Sequence, residues 1–295
     1  MKHSIITTAA AALLALCSCN KESAPAPVLT PADGTGRRPI VFLAEGEGLS
    51  AEVTTRATAV TSLTSFNVNC VTGTAGSAET SVFNAAFSGT ASTSYKGGKY
   101  WPATDPSYKF YASNATLTPA AAGPTVAATN ATDVVCAVLT SPTFAASNKL
   151  TFNHIFARLG TVTVTAPADG STVSNLAIKI TPKTGGTYSL YKGNGKTDGT
   201  GWSSTTTGSA TTIASATGSN SNDIYLVPGT YTLTATYTQT LGAYTESCTK
   251  TATVSLVGGK INSIATTIPD SGATEIVFTV SITAWGTNSV TANFS

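Results

Sequence analysis

The chain has 295 residues, a formal net charge of +2 and only 10% Asp, Glu, Lys and Arg, against roughly 25% in an ordinary soluble domain. Its charge is diffuse, with no basic run beyond Arg37-Arg38, which argues against a nucleic-acid partner, since that needs a concentrated positive face. Only His3 and His154 are present; a His-rich metal centre is excluded, and any Ser/His/Asp triad would have to use His154.

Residues 1–19 open with Lys2 and continue as an uncharged run of Ile, Thr, Ala and Leu over residues 5–16. That run is too short for a transmembrane helix and reads as an export signal. It ends in Leu16-Cys17-Ser18-Cys19, which resembles the lipobox of bacterial lipoproteins, with Leu at −3, a small residue at −1 and the modified Cys at +1. Cys19 fits that frame, whereas Cys17 would leave bulky Leu16 at −1. The expectation is removal of residues 1–18 and acylation of Cys19. Acyl chains contribute about 0.8 kcal/mol per buried methylene and would hold the chain on a membrane. Residues 19–39, with Ala24-Pro25-Ala26-Pro27, read as a solvated tether.

Beyond the tether, residues 39–44 (PIVFLA) form an apolar strand candidate, and Glu45-Gly46-Glu47-Gly48 a loop. Glu52-Val53-Thr54-Thr55-Arg56-Ala57-Thr58 is a polar linker whose isolated arginine is a natural site for an Arg-specific protease. Period-2 patterning or short apolar runs then mark 63–71, 108–112, 133–139, 150–156 and 159–165. In the second half 176–180 and 187–191 read as strands, and 193–201 (GNGKTDGTG) as turn. Residues 203–222, nearly all Ser, Thr, Gly, Ala and Asn, read as a long surface loop or weak hairpin. Strands at 223–227, 230–237, 247–256, 260–268 and 275–282, with turns at Pro228-Gly229 and Gly258-Gly259, complete the series. Short strands with turns and no helix predict an all-β protein of two tandem β-sandwiches, 40–158 and 159–295.

The remaining chemistry is sparse. Cys70, Cys136 and Cys248 are odd in number and lack metal-ligand spacing; they read as buried free thiols, with one disulfide and a leftover as the alternative. No pair of carboxylates is nominated for glycoside chemistry. His154 lies inside a strand-like run and reads as structural. Asn194–Gly199 resembles an oxygen-ligand loop faintly, but Asn-Gly and Asp-Gly serve a tight turn better. Trp101 and Trp285 read as packing residues. Trp202, between Gly201 and a polar run, is the candidate for an exposed ring that stacks on a sugar. No catalytic residue, metal ligand or cofactor is assigned.

Taken in order, the lipobox leader, the 39–44 run, Thr54-Thr55-Arg56-Ala57, Leu63-Thr-Ser-Phe66-Asn-Val68 and Lys99-Tyr100-Trp101-Pro102 resemble the fimbrillin family. So do Leu150-Thr-Phe152-Asn-His154-Ile-Phe156-Ala-Arg158-Leu159, Gly259-Lys260 and the closing Val277-Phe-Thr-Val280-Ser-Ile-Thr-Ala-Trp285. The resemblance implies two transthyretin-like β-sandwiches and a structural subunit of a type V pilus on the outer membrane of a Gram-negative bacterium. It also implies delivery as a lipoprotein, cleavage at Arg56-Ala57 by an Arg-specific protease, and head-to-tail polymerisation with neighbouring subunits by strand exchange. Carried onto this chain, cleavage releases the strand bearing Ile40 and Phe42, and Val290, Ala292 and Phe294 alternate as a strand donor should. Arg37 and Arg38 are alternative cleavage sites, and stalk, tip and anchor roles all stay open. The competing reading is a non-polymerising surface adhesin that binds host or bacterial glycans through Trp202.

Overall fold

A computed structural model describes residues 37–46, 63–90, 94–273, 275–285 and 292–293. The signal peptide, Cys19, Arg56, Ala57, Val290 and Phe294 lie outside the described residues. Among the described residues, no helix is long and apolar enough to cross a membrane.

The architecture is all-β, as the composition requires, and it is built from stacked sheets. In the N-terminal half, β1 (Pro39–Gly46), β2 (Ser65–Thr74), β3 (Ala78–Thr90), β4 (Ser94–Tyr100), β5 (Lys109–Ser113), β7 (Val135–Leu139) and β8 (Ser147–His154) close on one another in the order β1-β4-β3-β2-β5-β7-β8. The remaining strand of this half, β6 (Thr125–Thr129), leaves that sheet and pairs with β11 (Lys183–Ser189), which also pairs with β12 (Trp202–Thr207). The C-terminal half has two sheets. One is ordered β13 (Thr211–Ala214), β10 (Thr172–Ile180), β15 (Gly229–Leu241), β16 (Tyr244–Leu256). The other is ordered β14 (Gly218–Leu226), β9 (Ala157–Thr165), β17 (Lys260–Thr267), β18 (Phe278–Ala284), β19 (Ala292–Asn293).

Pleating explains the best-patterned strand. In β15, Tyr231, Leu233, Ala235, Tyr237 and Gln239 are buried while the intervening threonines point outward, because successive side chains of a strand face opposite sides. The turn at Gly258-Gly259 also forms where the sequence places it. Gly259 has φ +67°, a left-handed conformation that a side chain disfavours, and its N–H donates to the Phe156 carbonyl at 2.8 Å.

Several segments depart from the sequence reading. Residues 203–222 are not a loop: they contribute to β12, β13 and β14, each in a different sheet. Their side chains are mostly exposed, so the strands are held by backbone ladders to β11, β10 and β9 and leave little hydrophobic signature. For the same reason β3 and β4 were not anticipated; β3 buries only Glu79 and Phe87 of its 13 residues. Finally, the strand expected at 187–191 stops at Ser189, whose hydroxyl accepts from Lys192 N and caps a four-residue helix, α1 (Leu190–Gly193).

Three apolar clusters follow from this layout. One fills the closed N-terminal sheet and includes Phe42, Phe66, Phe87, Phe110 and Phe152. A second lies between the C-terminal sheets around Leu159, Ile178, Leu233 and Ile264. The third draws on both halves of the chain, with Tyr111, Phe156, Tyr188, Tyr225 and Trp285.

Candidate functional site

The sequence nominated Ile40 and Phe42, and the structure places both in the strand that closes the N-terminal sheet. β1 is antiparallel to β4, with Phe42 opposite Tyr95, and parallel to β8, with Val41 through Gly46 opposite Ser147 through Phe152. Ile40, Val41 and Phe42 are all buried to within 1%. Each such side chain stabilises the sheet by about 1.5–3 kcal/mol.

Phe42 is the centre of this seam. Its ring lies 4.9 Å from Phe110 and 5.1 Å from Phe87, both edge-on, and 6.4 Å from Phe66, the tilted arrangements that aromatic quadrupoles favour. Phe66 continues the cluster to Tyr95 at 4.8 Å and Phe152 at 5.0 Å. Sequence reasoning named Phe42 but not this floor; the alternation of Phe66, Val68 and Cys70 in β2 was its visible signal. At the other end of β1, Glu45 pairs with Lys149 and accepts from Thr151 Oγ1 at 2.9 Å, both on β8. Hydrogen bonding to Lys149 holds the Glu45 carboxyl below its usual value.

Taking β1 out would have a defined consequence. The facing edges of β4 and β8 would present unpaired N–H and C=O groups over an aromatic floor, and such an edge accepts any strand of suitable pattern.

The third cluster contains the histidine. His154 Nδ1 lies 2.8 Å from Asp133 Oδ2, with side-chain exposures of 1% and 0%. Its ring stacks on Trp285 at 4.1 Å and 9°, and Trp285 stacks in turn on Tyr225 at 5.6 Å and 10°. Such a buried, sandwiched imidazole has the surroundings of a packing residue. Trp285 thereby fixes the point from which the C-terminal tail departs. Of the tail residues nominated as donor, only Ala292 is described: it sits in β19 opposite Ile282 of β18.

Trp202 does not stand out as a free platform. It is half-buried, 4.9 Å from Phe156 and 5.3 Å from Tyr188, and its indole N–H donates to the Ile155 carbonyl at 3.3 Å. The ring flanked by Gly201 in sequence is drawn inward because Phe156 and Tyr188 offer it an apolar seat. Cys70, Cys136 and Cys248 are free and buried; burial pushes the Cys136 thiol up to about 12 and raises Cys70 further. The 194–199 segment is turn structure, with Asp198 Oδ1 accepting from Thr200 N and Oγ1 at 2.9 and 2.6 Å. Among the described residues no group of three or more His, Cys, Asp and Glu could hold a metal ion.

A family model described as fimbrillin-like matches residues 55–285. Among solved structures, the chain is similar to a candidate cell adhesion protein from Bacteroides ovatus, at 15% identity over 83% of this chain and 96% of that one, with a TM-score of 0.45. It is similar also to a fimbrial assembly protein from Parabacteroides distasonis, at 9% identity over 88% and 99% of the two chains, with a TM-score of 0.46. A candidate cell adhesion protein from Bacteroides eggerthii shares 11% identity over 84% and 96%, with a TM-score of 0.43. No curated protein matches the chain.

Proposed function

The chain belongs to the fimbrillin-like family, and we propose that it is a non-enzymatic subunit of a cell-surface fimbria that joins its neighbours by exchanging β1 for a strand of another subunit. The observation that carries this reading is the placement of β1. It is a buried closing strand whose partners all come from sequence-distant elements, and Arg56 lies between it and the next strand. While the connection is intact, β1 is held at an effective concentration on the order of millimolar; once cut, it competes with any incoming strand on equal terms.

In this reading Cys19 carries the lipid that delivers the subunit to the outer membrane, and an Arg-specific protease cuts between Arg56 and Ala57. The tail of a neighbouring subunit, with Val290, Ala292 and Phe294 on one face, fills the vacated groove. The two segments the exchange would swap, β1 and the tail beyond Trp285, are the parts of the sheet system outside the 55–285 family match. Repeated head-to-tail, the contact builds an open filament, which displays its subunits for adhesion to host or bacterial surfaces.

The test is limited digestion of the purified chain with an Arg-specific protease, followed by N-terminal sequencing and electron microscopy. A new terminus at Ala57 with filaments or ladders is expected, and Arg56→Ala abolishes both. Filaments formed undiminished by Arg56→Ala would sink this processing site.

A further inference from the structure

A cleft of about 760 Å³ opens beside the start of β1, within the range of small-ligand sites. Arg37 and Arg38 line it together with Lys99 at the end of β4. Two backbone contacts bring these segments together: Trp101 N donates to the Arg38 carbonyl at 2.9 Å, and Pro39 pairs with Tyr100. Both arginines are exposed, and among the described residues none of the three cations has an ion-pair partner. Among the described residues Lys99 Nζ makes a cation–π contact, 5.5 Å from the Phe83 ring.

The rest of the lining is aromatic. Tyr100, Tyr108 and Phe144 are half-buried along the cleft, and Trp101 lies behind them at 4% exposure. Trp101 stacks on Tyr108 at 5.8 Å and 20° and meets Phe144 edge-on at 5.4 Å. The buried indole N–H of Trp101 has no acceptor among the described residues; an unmet buried donor is costly.

We propose that this cleft binds an acidic saccharide. Arginine forks match carboxylate and sulfate oxygens bidentately, and tyrosine faces suit the apolar face of a sugar ring. A neutral sugar leaves the cations unused. An anionic membrane is recognised by clusters of four to eight basic residues rather than by three around a cleft. The arginines lie on the β1 side of Arg56 in sequence, so the site belongs to a chain that retains β1. This inference goes beyond filament assembly and does not depend on it, because binding is scored on intact monomer.

The experiment is calorimetric titration of the intact chain with tetragalacturonate, sialyllactose and a chondroitin sulfate tetrasaccharide, with maltotetraose as the neutral probe and phosphatidylglycerol vesicles as the membrane probe. Saturable one-site binding of at least one acidic probe is expected, weakening as salt rises. Affinity should fall at least about tenfold in the double variant Arg37→Ala/Arg38→Ala. Unchanged thermal unfolding of the arginine variant confirms that the loss is local. The proposal is overturned if none of the acidic probes binds, if maltotetraose binds equally well, or if the arginine variant binds like the parent. Binding to the vesicles alone would also overturn it. Galacturonate or sialyllactose against chondroitin sulfate separates carboxylate from sulfate recognition.

Discussion

Two regions of the molecule, the β15–β16 hairpin and the β1 seam, pair their strands over different reaches. In the C-terminal sandwich, β15 and β16 are separated by Gly242-Ala243, and every residue of β15 has a partner on β16. In the N-terminal sheet, β1 finds its partners on β4 and β8, with Phe42 opposite Tyr95 and Val41 opposite Ser147. A hairpin closes a short loop, whereas each doubling of loop length adds about 0.6 kcal/mol of closure entropy. More important than that increment is severability: a cut between β15 and β16 leaves the C-terminal fragment anchored also through β17 on β9, whereas a cut between β1 and β2 turns β1 into a ligand of its own domain.

The sharpest way to break this contrast is a pair of core truncations. Phe42→Ala is expected to cost about 3–5 kcal/mol and Leu233→Ala about 2–5 kcal/mol, measured by denaturant unfolding. The difference should lie in what opens. Cys70 shares the apolar cluster of Phe42, and Cys248 that of Leu233, so Phe42→Ala should speed thiol labelling of Cys70 while leaving Cys248 protected. Equal labelling of both thiols in both variants would dissolve the distinction between the halves.

The shared cluster tests whether the two halves report on each other. His154→Ala removes a partner of Asp133, whose side chain is fully buried, and the ring under Trp285. Removing a partner from a buried polar group is expected to cost about 1–3 kcal/mol, read as a lowered denaturation midpoint. Because both halves contribute to this cluster, Cys70 and Cys248 should both label faster, unlike in Phe42→Ala.

The smallest effect belongs to the far end of the sandwich. Asp169 accepts from Ser171 N at 2.9 Å and from Ser271 N and Oγ at 2.8 and 2.7 Å, and these bonds hold its carboxyl well below the usual range. A depressed carboxyl stabilises the fold fully above its unfolded value near 4, and that contribution is lost as pH falls through the folded value. Amide protection at Ser271 should therefore be level above about pH 4 and decline on acidification. Asp169→Asn should flatten that profile without touching Cys70 labelling, which keeps the two halves distinct.

Legibility in the sequence followed burial. The 230–237 pattern was readable because one face of β15 is core and the other solvent, and the 39–44 run was readable because Ile40, Val41 and Phe42 are all enclosed. Strand β12 and the first part of β14 were read as a long loop or weak hairpin because their side chains bury little, and a backbone ladder has no side-chain signature. At the candidate site, Ile40 and Phe42 were legible as part of a continuous apolar run. The aromatic floor was not, since Phe66, Phe87 and Phe110 sit on three different strands. Trp202 misled because local glycine and polar neighbours say nothing about a ring 46 positions away in sequence, as Phe156 is.

The sequence by itself determined an all-β chain without the residues for a histidine-based metal centre, the two faces of its amphipathic strands and the turns at its glycines, because these depend on neighbours one or two positions away. Only the tertiary structure decided that β1 closes a sheet between β4 and β8, that His154 is sealed between Asp133 and Trp285, and that Arg37, Arg38 and Lys99 share one cleft. Those outcomes depend on which distant strands meet, and that is set by the joint burial of many side chains rather than by any one segment.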